Sequence, residues 1–364
     1  MTNQPKQFHG SDLETVSSAF AIEKTKIIPF AANVNPLGLS PMVKKALTNH
    51  IDCICSYPER DYKPLKEAIA AYCGADPSAL YIGNGSSDLL RLCIEYHAPK
   101  KAMIISPAYS EYARLVRMHG GEVIPYMLTE ENAFKLDVSE FLTHLDASID
   151  MLIICNPNNP TSTAIKAVDI ETILETCKVL DIFVMVDETY VEFHPDMEHV
   201  TAIPLVPEYD NLCVVRGVSK FFAAPGLRLG YSICSNETFY ATLNSIETPW
   251  TVNAFAVEAG KVMFADEKYI NETKELIHIE QSLVYSALSS RKTIKVFKPE
   301  ANFILVKLLK EGQTAGQVFK YCMETGLMIR DCTDYEGLGE KYIRFCFMNP
   351  SDDDKVVNRL LEIV

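Results

Sequence analysis

Short apolar runs alternate along the chain with longer segments of helical period. Ala102–Ser106, Glu122–Tyr126, Met151–Cys155, Ile182–Val186 and Leu212–Val215 read as strands, and several are apolar throughout, as strands buried on both faces are. Between them, Tyr109–His119 and the segment from about Lys166 to Leu180 have the spacing of amphipathic helices. Upstream, Ser40-Pro41 opens a helix that runs to about His50 with proline in its first turn. Tyr62–Tyr72 reads as a second helix, ended by Gly74. This alternation predicts an α/β fold built on an open, mostly parallel sheet.

After a strand at Tyr231–Cys234 the character changes. Residues 246–253, which hold the single tryptophan, read as a linker, and a helical stretch follows from Ala254 to Ser290 with a break near Asp266. A strand at Ala301–Lys307, a helix around Thr314–Glu324, a strand at Tyr342–Phe347 and an amphipathic segment over Asp352–Val364 complete a smaller α+β lobe. The expected division is an N-terminal arm over 1–35, a large α/β domain over 36–248 and a small C-terminal α+β domain over 249–364. The arm is polar and mixed up to about Ile28, so it is expected to lie across another surface rather than to fold alone.

Ligands of open α/β sheets gather at the carboxyl ends of the strands. Tyr109, Asn159, Asp187, Tyr190 and Lys220 all follow such ends, so polar residues far apart in sequence are expected to converge on one rim. Lys220 lies between apolar segments; lost solvation lowers a lysine's pKa and favours the nucleophilic amine, which suits a Schiff base with a carbonyl cofactor. Arg228 stands in a turn with Pro225, Gly226 and Gly230 and offers a guanidinium to a phosphate. Taken alone, a lysine after a strand is more commonly a solvated side chain. The turn Tyr81–Asp88 feeds a helix whose apolar face carries Leu89, Leu92 and Cys93. Its backbone amides, with the Ser86 and Ser87 hydroxyls, form either an anion site or an ordinary helix cap. A dinucleotide fingerprint is a poor match, because the third glycine is missing and no convincing strand precedes the turn. His9-Gly10 reads as an ordinary turn on residue types alone. Arg330 and Arg344 are the small lobe's candidate ligand-facing cations, although either alone is commonly a surface ion-pair partner.

A formal net charge of -14 argues against nonspecific nucleic-acid binding and leaves room for a small anionic substrate held by local arginines. The first twenty residues have no apolar h-region, and no later run approaches membrane-spanning length, so a cytoplasmic protein is expected. The 11 cysteines, an odd count with Cys155, Cys213, Cys234 and Cys346 in apparent core segments, fit reduced thiols better than a disulfide framework. Cys53 and Cys55 have no second pair at ligand spacing, and the 8 histidines form no metal motif, so no metal is expected.

These residues, in this order, resemble the fold-type I pyridoxal-phosphate enzymes of the aminotransferase class I/II group over almost the whole chain. The motifs are Tyr57-Pro58, Gly83-Asn84-Gly85, Pro107-Ala108-Tyr109, Asn158-Asn159-Pro160-Thr161, Asp187-Glu188-Thr189-Tyr190 and Ser219-Lys220 with Arg228. The resemblance implies pyridoxal 5′-phosphate as cofactor and Lys220 as the Schiff-base lysine that later moves protons. It implies Asp187 against the pyridinium nitrogen, Tyr190 and Asn159 as donors to the phenolic oxygen, and Tyr109 stacked on the ring. Gly85, Ser86, Ser219 and Arg228 resemble the phosphate cradle, joined by Tyr57 from a neighbouring subunit of a homodimer. Two positions depart from the pattern: Gly217 stands where relatives carry a phosphate-binding hydroxyl, and Ser162 replaces the glycine that ends the usual Asn-Pro-Thr-Gly turn.

Within the group, the chain is similar to two branches that handle phosphorylated amines, the threonine-phosphate decarboxylases and the histidinol-phosphate aminotransferases. The decarboxylase branch is favoured by His9-Gly10, by Asn33 in Ala32–Gly38, by Pro249–Asn253 and by Ile329–Leu338. It implies His9, Gly10, Asn33, Asn159, Arg330 and Arg344 as substrate contacts, with threonine or serine phosphate as substrate. A turnover-deficient regulator is disfavoured by the intact Lys220, Asp187, Tyr190 and Arg228. A nicotinamide-dependent oxidoreductase would rest on the α/β pattern alone.

Overall fold

The structure, a computed structural model, describes residues 10, 12–246 and 249–364. Among these residues a seven-stranded sheet runs in the order β1-β7-β6-β5-β4-β2-β3, where β1 is Leu80–Gly83, β2 Lys101–Ser106, β3 Glu122–Met127, β4 Met151–Cys155, β5 Phe183–Asp187, β6 Leu212–Gly217 and β7 Gly230–Ile233. β7 is antiparallel to both its neighbours, and the pairings from β6 through β3 are parallel. The central strands are apolar because each serves two cores. Leu152, Ile154, Val184, Val186 and Val214 enter one cluster, whereas Met151, Ile153, Phe183, Met185 and Val215 enter the cluster on the opposite face. Alternation of side chains across a strand produces this split.

β1 supplies the strand before the Gly-rich turn that the sequence did not make convincing. It is short and buried along its whole length, so it shows no alternation against a solvent face. Its register partners, Leu80 to Ile233 and Gly83 to Gly230, anchor the turn against β7.

A second sheet, antiparallel, runs β10-β11-β9-β8, with β8 at Ile294–Val296, β9 at Phe303–Leu308, β10 at Arg330–Asp331 and β11 at Tyr342–Cys346. The helices Glu267–Ser289, Ala315–Met323 and Pro350–Ile363 accompany it. The break expected near Asp266 is a helix start, where the Asp266 carboxylate accepts from the Tyr269 amide at 3.2 Å. Among the described residues, the end of the arm hydrogen-bonds to this part of the chain. Ile28 donates to Gly326 O at 2.8 Å, Ala31 to Met328 O at 2.7 Å, and Cys346 donates to Phe30 O at 2.8 Å. It also holds a helix, Leu13–Phe20, capped by Asp12 and packed edge-on through Phe20 against Phe319. That helix carries little periodic signal because only Val16 in it is buried. After Phe30 the chain turns inward and carries Asn33 beneath the rim. No helix among the described residues is long and apolar enough to cross a membrane.

Candidate active site

A cavity of about 470 Å³ lies between the carboxyl ends of the large sheet and the edge of the small one. Gly10, Asn33, Ser86, Tyr109, Asn159, Asp187, Tyr190, Ser219, Lys220, Arg228, Arg330 and Arg344 all line it. Gly85 stands just behind, and His9 lies outside the described residues. Tyr57 is not in the cavity of its own chain. It is 77% exposed and stacked on Trp250 at 4.5 Å, beside a separate surface pocket.

Asp187 ends β5 and is buried. Burial raises its pKa, and this is opposed by the Thr189 amide at 2.9 Å, the Thr189 hydroxyl and the Tyr112 hydroxyl, which donates to Oδ2 at 2.7 Å. Tyr112 is itself buried, so this is a hydrogen bond in a low-dielectric setting. Sequence reasoning missed Tyr112: three residues after Tyr109 on the helix Ser110–Met118, it has the spacing of a core residue.

Lys220 follows β6, and its Nζ donates to Ala32 O at 2.7 Å. Desolvation, then the nearby Arg344 guanidinium, push its pKa down to about 8, so the neutral amine is accessible near neutrality. Asn33 donates from Nδ2 to the Tyr190 hydroxyl at 3.3 Å, which leaves the Tyr190 O–H for a cavity ligand. The Asn33 Oδ1 is buried and has no hydrogen-bond partner among the described residues. Tyr109 lines the wall edge-on to Tyr112, and burial pushes its phenol up to about 12.

The Gly85–Ser86 turn starts the helix Ser86–His97, with Gly85 at φ 91°. A Cβ on Gly85 would come within 2.4 Å of Arg228 Nη2, so the glycine admits the guanidinium to the helix start. Arg228 is tethered to Asn84 O at 3.2 Å and Pro225 O at 3.3 Å. Gly217 has a steric reason. A Cβ there would lie 3.1 Å from Ser86 Cβ and 3.2 Å from Ser86 Oγ, so a side chain at 217 would crowd Ser86.

The small lobe contributes the opposite wall. Arg330 and Arg344 face each other in register across β10 and β11. Arg344 reaches Asn159 Oδ1, Tyr335 Oη at 3.2 Å and Ala31 O at 2.9 Å, and the Tyr335 hydroxyl also donates to Asn159 Oδ1 at 3.2 Å. Arg330 pairs through Nη2 with both oxygens of Asp334, at 2.7 and 2.5 Å, and lies 5.4 Å over the Tyr335 ring. Asp334 and Tyr335 sit inside the Ile329–Leu338 signature, but their place in the cavity depends on the turn after β10, which residue types do not specify.

Ser162 holds the Asn159 turn to this wall. It adopts φ 62°, its Oγ accepts from the Ala301 amide at 2.9 Å and the Glu300 amide at 3.2 Å, and its carbonyl accepts from Glu300 at 2.8 Å. The seryl departure is therefore a tie between the lobes.

Comparison with known proteins agrees with this geometry. The aminotransferase class I and II model matches residues 25–360. A putative threonine-phosphate decarboxylase of Caldanaerobacter subterraneus subsp. tengcongensis is 36% identical over 90% of this chain and 88% of its own length. The threonine-phosphate decarboxylase of Salmonella typhimurium is 30% identical over 98% of this chain and 96% of its own. Among solved structures, the histidinol-phosphate aminotransferase from Clostridium acetobutylicum superposes with a TM-score of 0.86 at 28% identity, covering 92% of this chain and 98% of that one. Pyridoxal 5′-phosphate is the cofactor, and the residues present fit it. Gly85 leaves space beside Arg228 that a side chain would fill, and the buried carboxylate of Asp187 and the depressed lysine Lys220 share one cavity.

Proposed function

The chain belongs to the aminotransferase class I and II family, and on that premise we propose that it decarboxylates L-threonine O-3-phosphate, with L-serine O-phosphate as an alternative substrate, to the amino-alcohol phosphate of a cobamide side chain. The observation that carries this reading is the pair Arg330 and Arg344, two buried guanidiniums in register that line the same cavity as Lys220. They suit a substrate with two anionic groups, one of them on the reacting carbon. The decarboxylase relatives at 36% and 30% identity, and the cavity positions of Gly10 and Asn33, support decarboxylation over transamination.

Lys220 would hold the cofactor covalently, Asp187 would face its ring nitrogen, Asn159 and Tyr190 its phenolic oxygen, and Ser86, Ser219 and Arg228 its phosphate. When bound, the cofactor supplies an electron sink for the Cα bond that stands perpendicular to its ring. Arg344 is the guanidinium that bears on Lys220, so it would take the α-carboxylate, and Arg330, paired with the partly exposed carboxylate of Asp334, would take the remote phosphate. Gripping both ends would fix the orientation of the Cα–carboxylate bond, so that distant binding energy selects the bond that breaks. Carbon dioxide leaves without the bonding pair, and Lys220 Nζ returns a proton to Cα. In the proposed homodimer the exposed Tyr57 of a second copy completes the phosphate cradle.

The test is incubation of the holoprotein with threonine phosphate and no 2-oxo acid. Carbon dioxide and 1-amino-2-propanol phosphate are expected in equal amounts over many turnovers. Conversion of the cofactor to pyridoxamine phosphate without carbon dioxide would instead identify an aminotransferase.

A further inference from the structure

The hydroxyl of Tyr335 has no part in the proposed chemistry, yet it stands where the cofactor side and the substrate side of the cavity meet. Arg344 Nη1 and the Tyr335 hydroxyl both donate to Asn159 Oδ1, the second at 3.2 Å, and Arg344 Nη1 also donates to the Tyr335 oxygen at 3.2 Å. A guanidinium only donates, so the amide atom that faces it is the oxygen, and the amide nitrogen is left for the cavity that Asn159 lines. Both lone pairs of that oxygen are taken, one by a charged donor and one by a neutral one. The two donors differ in what else claims them. Arg344 also holds Ala31 O at 2.9 Å, and its Nε is buried with no hydrogen-bond partner among the described residues. An arriving carboxylate competes for this guanidinium, because a charge-assisted pair is stronger than a bond to an amide. Tyr335 carries no formal charge and is fixed by its own turn, its amide donating to Cys332 O at 3.0 Å and its carbonyl accepting from Leu338 at 3.1 Å.

We propose that Tyr335 is a positioning residue: its hydroxyl keeps the Asn159 amide aimed at the cofactor's phenolic oxygen while Arg344 turns to the substrate's carboxylate. The inference rests on the roles proposed above for Asn159 and Arg344. Without this second anchor, each substrate that binds would loosen the amide that steadies the cofactor. A donor to the phenolic oxygen favours the deprotonated form of the lysine-bound cofactor, in which the negative charge on that oxygen is least compensated. A loosened amide therefore raises the pH midpoint of the cofactor's visible absorbance.

The experiment titrates the visible absorbance of the holoprotein with pH, with and without saturating acetate, a carboxylate that does not react, at matched ionic strength. Acetate brings negative charge and should raise the midpoint of the native protein. In Tyr335→Phe that rise should be larger by roughly half to one pH unit, the size of one lost hydrogen bond. Without acetate the two midpoints should agree within about 0.3 unit, because Arg344 still holds the amide. Tyr335→Leu, which removes the ring as well, should show the same enlarged response. An equal acetate response in Tyr335→Phe and the native protein, or an enlarged response confined to Tyr335→Leu, would overturn the proposal and leave Tyr335 as packing for the wall. A failure to release carbon dioxide from threonine phosphate would count against the proposed reaction and leave these midpoints readable.

Discussion

At one end of the cavity Asp187 is held by Tyr112 and Thr189, both of them buried. At the other, Arg330 is held by Asp334, whose side chain is 36% exposed. The first arrangement suits a resident cofactor, because its charge and direction are fixed before anything binds and no solvent competes for the donors. The second suits a ligand that comes and goes, because one partner can leave for water. Arg344 stands between the two, tied to the arm at Ala31 and to Asn159 of the large sheet's rim, and close enough to Lys220 to depress it.

The sharpest way to break this comparison is at the lysine. Lys220→Ala should lower turnover by at least ~10²–10⁴-fold, the range for a lost general acid or base, and borohydride should no longer fix the cofactor to the chain. Tyr112→Phe tests the buried end. A hydrogen bond to a charged group contributes about 1.5–3 kcal/mol, so cofactor affinity should fall roughly 10–100-fold while substrate KM stays within about twofold. A change in KM alone would place Tyr112 on the wrong side of the comparison.

The pH dependence sharpens the middle. The lysine's pKa is lowered because burial and Arg344 disfavour its charged form. The neutral amine therefore grows as pH rises through about 8 and levels off above it. Cofactor capture by the apoprotein should rise about tenfold per unit below that midpoint and then plateau, and Arg344→Gln should move the midpoint upward. The smallest effect is expected at the tie between the lobes. Ser162→Gly relieves roughly 1–2 kcal/mol of left-handed backbone strain but leaves the buried Ala301 amide without its acceptor, at about 1–3 kcal/mol. A slight net loss in Tm is expected, with substrate KM rising and cofactor affinity unchanged.

The proposed cofactor end is legible in the sequence because its residues follow strands whose unbroken apolar runs mark them plainly: Asp187 after Phe183–Val186, and Lys220 after Leu212–Val215. The substrate end was legible only in part. Arg330 and Arg344 stood out as cations near short strands, but their facing register depends on pairing between β10 and β11, which local pattern does not fix. Tyr112 and Asp334 were missed for opposite reasons. The first resembles a core tyrosine and the second a surface aspartate, and only the fold shows the atom each one touches. β1 escaped because four buried residues carry no period.

Decarboxylation itself is tested most directly by a single turnover with carboxyl-labelled threonine phosphate, using less substrate than holoprotein. The label is expected to appear as carbon dioxide, with the cofactor returned to its starting absorbance. Label retained in a 2-oxo acid, with the cofactor left in its amine form, would contradict it.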